Sequence, residues 1–154
     1  MNNNASENAY SVSKLTEEAR RLAADYRRAT GKTLPLSPEI AINDAIRLLD
    51  LAPSEDDSCD ALHESDAGQQ KVLVKGRTIF DKRKGTQRLG QLSLDKPWQI
   101  ALLVLMDENY ETTEIHLASR EALDSALAQK PNNKRGTMTV NQFKVIGEKV
   151  WPDE

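Results

Sequence analysis

The segment Trp98–Met106, WQIALLVLM, is nine residues long with one polar position, Gln99. It is too short for a membrane span, which needs about 20 apolar residues. It also lacks the alternation of a strand with one wet face. Such a strand is stable only when both of its faces are covered, so the chain is expected to build a sheet with helices packed on it. One core of that kind suits 154 residues, of which 38% are hydrophobic. The single cysteine, Cys59, excludes an intramolecular disulfide, and two histidines, His63 and His116, are too few for the usual structural zinc centre. No stretch is apolar enough for a membrane span, and the polar start MNNNASENAY lacks the basic-then-apolar pattern of a secretory signal. A cytoplasmic protein without membrane contact is the expectation.

Around the apolar strand, residues 1–12 read as a disordered polar tail and residues 13–154 as one domain. A first amphipathic helix is expected from a Ser13 cap to Gly31, with Leu15, Ala19, Leu22, Ala23 and Tyr26 facing inward. A second starts at Ser37-Pro38-Glu39, which supplies a cap, a proline at the first helical position and an acid, and it stops before Pro53. A short strand is expected at Ser58–His63, a longer one at Lys71–Phe80, and a turn at Gly85–Gly90. Thr112–Leu117 alternates and is expected to pair with the apolar strand. Ser119–Gln129 reads as a capped helix, Lys130–Gly136 as a basic loop, and the segment after Thr139 as a last helix that ends by Trp151-Pro152. The expected fold class is α/β or α+β: a central mixed sheet, N-terminal helices, then a C-terminal helix pair.

The formal net charge of −3 conceals two opposed blocks. Glu55, Asp56, Asp57, Asp60, Glu64 and Asp66 give the stretch from Pro53 to Asp66 a charge of −6. Lys75, Arg77, Lys82, Arg83, Lys84 and Arg88, opposed by Asp81 alone, give the following one +5. Two solvated loops would explain this; so would a carboxylate-lined metal site beside a basic phosphate-binding ribbon.

Three residues carry the candidate chemistry. Glu39 stands in the first turn of a helix, where an acid also simply favours the dipole. Asp60 is flanked by Cys59, Ala61 and Leu62, which draws it toward the core more than its acidic neighbours. Lys75 interrupts the apolar series Val72, Leu73, Val74, where an unpaired ammonium is costly unless its long stem carries it to the surface. His63 and His116 read as ordinary histidines, and Cys59 as a small buried hydrophobe.

An acid, a gap of about 15 residues and a lysine within an apolar strand resemble the active-site layout of the PD-(D/E)xK nuclease superfamily. The segments PEIAINDAIRLLDL, VKGRTI, QRLGQLSLDKPWQIALLVLMDENYETTEIHLA and MTVNQFKVIGEKVW resemble an uncharacterised family of small bacterial proteins assigned to that restriction-endonuclease-like fold. The likeness runs from about residue 14 to the C-terminus. It implies Glu39 as the helix glutamate, Asp60 as the strand aspartate, and Lys75 as the lysine of a Q-x-K-G-R pattern continued by Gly76 and Arg77. It further implies Mg²⁺, or Mn²⁺, held by Asp60, Glu39 and the Val74 carbonyl, with Lys75 stabilising the attacking hydroxide or the phosphate. Arg77, Lys82, Arg83, Lys84 and Arg88 would then contact the backbone of DNA, with Lys130, Lys134 and Arg135 as a second contact loop. The departure is Leu73, which stands where the family has Glu, Asp or Gln and can ligate nothing. Asp44 and the glutamines Gln69 and Gln70 do not replace it.

Two functions follow as expectations: a Mg²⁺-dependent DNA endonuclease in restriction or genome defence, or a catalytically inactive nuclease-fold module that binds nucleic acid or a protein. A third is a partner subunit that docks through the acidic segment Glu55–Asp66. The oligomeric state is left open, a dimer among the alternatives.

Overall fold

The computed structural model describes residues 3–33, 36–79, 87–129 and 137–152. Two helices come first, α1 (Asn3–Thr30) and α2 (Ser37–Leu49). They are followed by strands β1 (Ala52–Pro53), β2 (Ala61–Ser65), β3 (Gly68–Thr78), β4 (Arg88–Gln91), β5 (Ile100–Met106) and β6 (Thr112–Ser119). Helix α3 (Arg120–Ala128), strand β7 (Thr137–Thr139), helix α4 (Val140–Ile146) and strand β8 (Glu148–Trp151) complete the described chain. Six strands form one mixed sheet in the order β1-β2-β3-β5-β6-β8, and β4 pairs with β7 in a separate ribbon. The protein is therefore a mixed α/β fold, as its patterning implies.

Every residue of β5 is buried, because this strand lies between β3, which runs parallel to it, and β6, which runs antiparallel. Ile100, Leu102, Val104 and Met106 point to one face, packing with Val72 and Val74 of β3, Ala23 and Ala24 of α1, and Ile40, Ala41 and Ala45 of α2. Ala101, Leu103 and Leu105 point to the other, packing with Leu73 of β3, Leu89, Trp98, Leu123 of α3, Met138, and Val140 and Phe143 of α4. The sheet thus has a core on each side, which is why a strand of period-one hydrophobicity fits its centre.

Local chemistry marks several boundaries correctly. Gly31, at φ 75°, ends α1 with its N–H on the Arg27 carbonyl at 2.8 Å. Ser119 Oγ accepts from the Ala122 N–H at 3.1 Å at the start of α3, and Thr139 and Gln142 form a reciprocal capping box on α4.

Other expectations need correction. The helix does not begin at Ser13: it continues back to Asn3, and no glycine or proline interrupts the sequence between Met1 and Thr30. The inward face of α1 is centred on Arg20, Ala23 and Ala24, whereas Leu15 and Leu22 are 62% and 57% exposed. A buried ion pair, described below, turns the helix away from its largest aliphatic side chains. The cap of α2 is Leu36 rather than Ser37. The strand expected at Ser58–His63 starts later, at Ala61, and residues 88–90 belong to β4 rather than to a turn. The last helix stops at Ile146, and Val150 lies in β8, paired to β6. Gly147 makes that switch: a Cβ built there would lie 2.4 Å from the Leu117 carbonyl oxygen, so only glycine lets the chain pass β6 this closely.

Candidate functional site

Strands β2 and β3 pair antiparallel from Ser65↔Gly68 back to Ala61↔Val72. Asp60, the next residue, extends the ladder by one step with its side chain. Its N–H donates to the Val72 carbonyl at 2.8 Å, and its Oδ2 accepts the Val74 N–H at 2.8 Å. A strand residue directs its N–H and C=O to the same side, so the Val74 carbonyl faces this edge too. The two strands diverge here, and the fork is the candidate site.

Leu73 and Lys75, two apart, share the face opposite α2. Leu73 is 6% exposed and belongs to the core cluster that contains Trp98 and Leu103. Lys75 is half-buried, with no hydrogen bond or ion pair among the described residues. Burial, then the nearby charges of Arg77 and Lys96, hold its ammonium below the ordinary lysine value; only the Asp60 carboxylate acts in the opposite sense. Asp60, already engaged by a backbone N–H, is the one carboxylate whose charge acts on Lys75, against two cations.

Glu39 does not join this set. It is exposed in the first turn of α2, the helix that covers the opposite face of the sheet from Lys75. Among the described residues no three His, Cys, Asp or Glu side chains converge as a metal site would require. The oxygens available to a Mg²⁺ ion at the fork are Asp60 and the Val74 carbonyl, beside cations that oppose its binding. With one carboxylate and one carbonyl, water and a phosphate would have to complete the shell of such an ion.

Arg77 is committed to structure. Its Nε donates to the Arg88 carbonyl at 2.9 Å, its Nη1 to the Gly76 carbonyl at 2.6 Å, and its Nη2 to the Leu89 carbonyl. It fastens β4 over β3, and burial pushes its pKa down. Gly90 helps, since a Cβ there would crowd Arg77 Nη2 at 3.3 Å. Arg88 is exposed. Lys82, Arg83 and Lys84, with Lys130, Lys134 and Arg135, lie outside the described residues.

The remaining singletons have partners elsewhere. His63 Nδ1 lies 3.3 Å from Gln70 Oε1 across the β2–β3 ladder. His116 is 6% exposed, with Nε2 at 2.8 Å from Glu114 Oε2. Cys59 is buried, its Sγ 3.4 Å from Ser54 Oγ. In the acidic segment, Asp56 Oδ1 accepts from the Ser58 N–H at 2.9 Å and from the Ser58 hydroxyl, which lowers its pKa.

Two features escaped the sequence reading. Lys96 stands in a turn with no periodicity to mark it. Arg20 and Asp44, 3% and 1% exposed, form a buried pair between α1 and α2, with Nη2 to Oδ1 at 2.7 Å and to Oδ2 at 2.6 Å. Thr112 donates to Asp44 Oδ2 at 2.6 Å, and Arg20 Nε donates to the Tyr110 carbonyl at 2.7 Å, which ties both helices to the β5–β6 connection.

No protein-family profile matches the chain, and no curated protein matches it. No helix among the described residues is long and apolar enough to cross a membrane.

Proposed function

We infer that the chain is a nucleic-acid-binding module on a restriction-endonuclease-like core, which engages the phosphate backbone at the β2–β3 fork without cleaving it. The observation that carries this reading is the half-buried Lys75 ammonium, which has no hydrogen bond or ion pair among the described residues and is flanked by two further cations and one carboxylate. A half-buried ammonium without a hydrogen-bond partner among the described residues suits a phosphate oxygen better than a metal cation. Leu73 in the core and Glu39 across the sheet argue against assembly of the acid pair that hydrolysis needs. The resemblance of the VKGRTI and PEIAINDAIRLLDL segments to an uncharacterised family assigned to the PD-(D/E)xK fold supports the architecture in this reading.

The competing reading is a Mg²⁺- or Mn²⁺-dependent DNA endonuclease in restriction or genome defence. What favours it is the Asp60 carboxylate and the Val74 carbonyl on one strand edge, next to Lys75. One experiment separates the two. Wild type, Asp60→Ala and Lys75→Ala are incubated with supercoiled plasmid and either metal, and binding to a labelled duplex is followed as salt rises. Binding that weakens steeply with salt, depends on Lys75 and comes without nicking is the expected result. Nicking abolished by both substitutions would install the endonuclease reading instead, and absence of binding would overturn both.

A further inference from the structure

Of the five large hydrophobic side chains exposed among the described residues, three stand on α1: Val12, Leu15 and Leu22, at 54%, 62% and 57%. Together with Ala19 and Tyr26, both partly buried, they recur at steps of three and four residues from position 12 to position 26. That is the a/d spacing of a two-helix seam, here about 22 Å long. The fold buries another side of the helix, through Arg20, Ala23 and Ala24. From Val12 to Glu18 only Thr16 is even partly covered, so the apolar stripe starts about two turns before α1 reaches the body of the protein.

Charge borders the stripe along one side. Lys14, Glu18, Arg21, Asp25 and Arg28 alternate in sign at the same three- and four-residue steps, and all of them are exposed. Arg28 pairs with Asp25 and donates to Asn109 Oδ1 at 3.0 Å. Lys14, Glu18 and Arg21 have no hydrogen bond or ion pair among the described residues. A row of alternating sign is complementary to a reversed copy of itself. When two α1 helices lie antiparallel with the two-fold axis between Ala19 and Arg20, Lys14 stands level with the partner's Asp25, and Glu18 with the partner's Arg21. The same register seats Leu22 between the partner's Leu15 and the partner's Ala19, and Leu15 between the partner's Leu22 and the partner's Tyr26. Apolar fit and charge fit thus select one alignment.

We propose that the exposed face of α1 is a self-association surface, occupied by α1 of a second copy of the chain in an antiparallel, two-fold pair. The surface and its occupant are independent of the reading of the β2–β3 fork. The contact is one helix wide, well below the roughly 1,200–2,000 Å² of a permanent interface, so the dimer is reversible, with a dissociation constant on the order of 10–100 µM. The dilute protein is a monomer in which the Arg20–Asp44 pair holds α1 to α2.

Sedimentation equilibrium of the full chain, from about 1 µM to about 1 mM, tests this. Wild type is expected to pass from monomer to dimer across that range. A Leu15→Ser/Leu22→Ser double variant should stay monomeric, with the melting temperature of the dilute protein little changed. Glu18→Lys and Arg21→Glu each set like charges level with one another, and each should weaken the dimer about tenfold. Mixed in equal amounts, these two variants regain opposite charges at both contacts, and the mixture should associate about as tightly as wild type. A wild type that stays monomeric at the highest concentration, or a double leucine variant that dimerises as wild type does, would overturn the surface. A mixture that associates no more tightly than either charge variant alone would overturn the antiparallel pairing. If the double leucine variant fails to fold, the charge variants, altered at exposed positions, decide the outcome by themselves.

Discussion

Two cations taken from water by this fold are satisfied in opposite ways. Arg20 has the Asp44 carboxylate, the Glu17 carboxylate and the Tyr110 carbonyl around it, and these partners offset its burial. Removing one side of such a pair strands the other. Asp44→Ala is therefore expected to cost about 3–5 kcal/mol, measured as a lower urea midpoint at unchanged m-value. Lys75 has no comparable partner, and its proton affinity is lower folded than unfolded. The unfolded chain then binds more protons as pH rises toward the reference value of 10.5, so stability increases with pH across that window. Lys75→Met should be more stable than wild type at neutral pH and should lose the alkaline rise. A wild-type stability that rises toward pH 10.5 no more than that of Lys75→Met would contradict the assigned environment. Lys75 was legible in the sequence because a lysine among Val72, Leu73 and Val74 violates the pattern around it. Asp44 was not, because an acid on the polar-looking side of a helix looks the same whether it meets water or Arg20.

Among the elements, those closed by local chemistry were legible and those closed by distant contacts were not. The caps at Ser119 and Thr139 and the glycine after α1 are written in short stretches of sequence. The rotation of α1 is not: Leu15 and Leu22 have the spacing of a core stripe, yet the Arg20–Asp44 pair decides which side packs. Leu15→Ser and Leu22→Ser should each change stability by no more than about 0.5 kcal/mol, as thermal melts would register. Losses of 2 kcal/mol would return those leucines to a buried interface. Strand β8 reads as helix from sequence because Val145, Ile146 and Val150 suit either element, and the backbone approach at Gly147 is a tertiary fact. Gly147→Ala forces its new methyl against the Leu117 carbonyl, and a loss of about 1–3 kcal/mol is expected on chemical denaturation.

At the scale of the whole molecule, two-sided burial of the sheet was dictated by one apolar strand, while the strand order was not. Periodicity reports how each strand meets the core, and says nothing about which strand lies beside it. The parallel partner of β3 comes late: Lys71 meets Gln99, 28 positions further along the chain. β2 and β3, by contrast, join through Asp66 and Ala67 alone, and their hairpin closes locally. During synthesis the hairpin thus exists before anything covers its other edge, and for that interval VLVKGRT is a strand rich in apolar residues and open to any neighbouring chain. The lysine in its middle is the charge that discourages such a neighbour. Lys75→Met should accordingly give a more stable native protein and a poorer yield of it, with more light scattering on refolding at micromolar concentration. A residue that weakens the finished fold also guards the unfinished one.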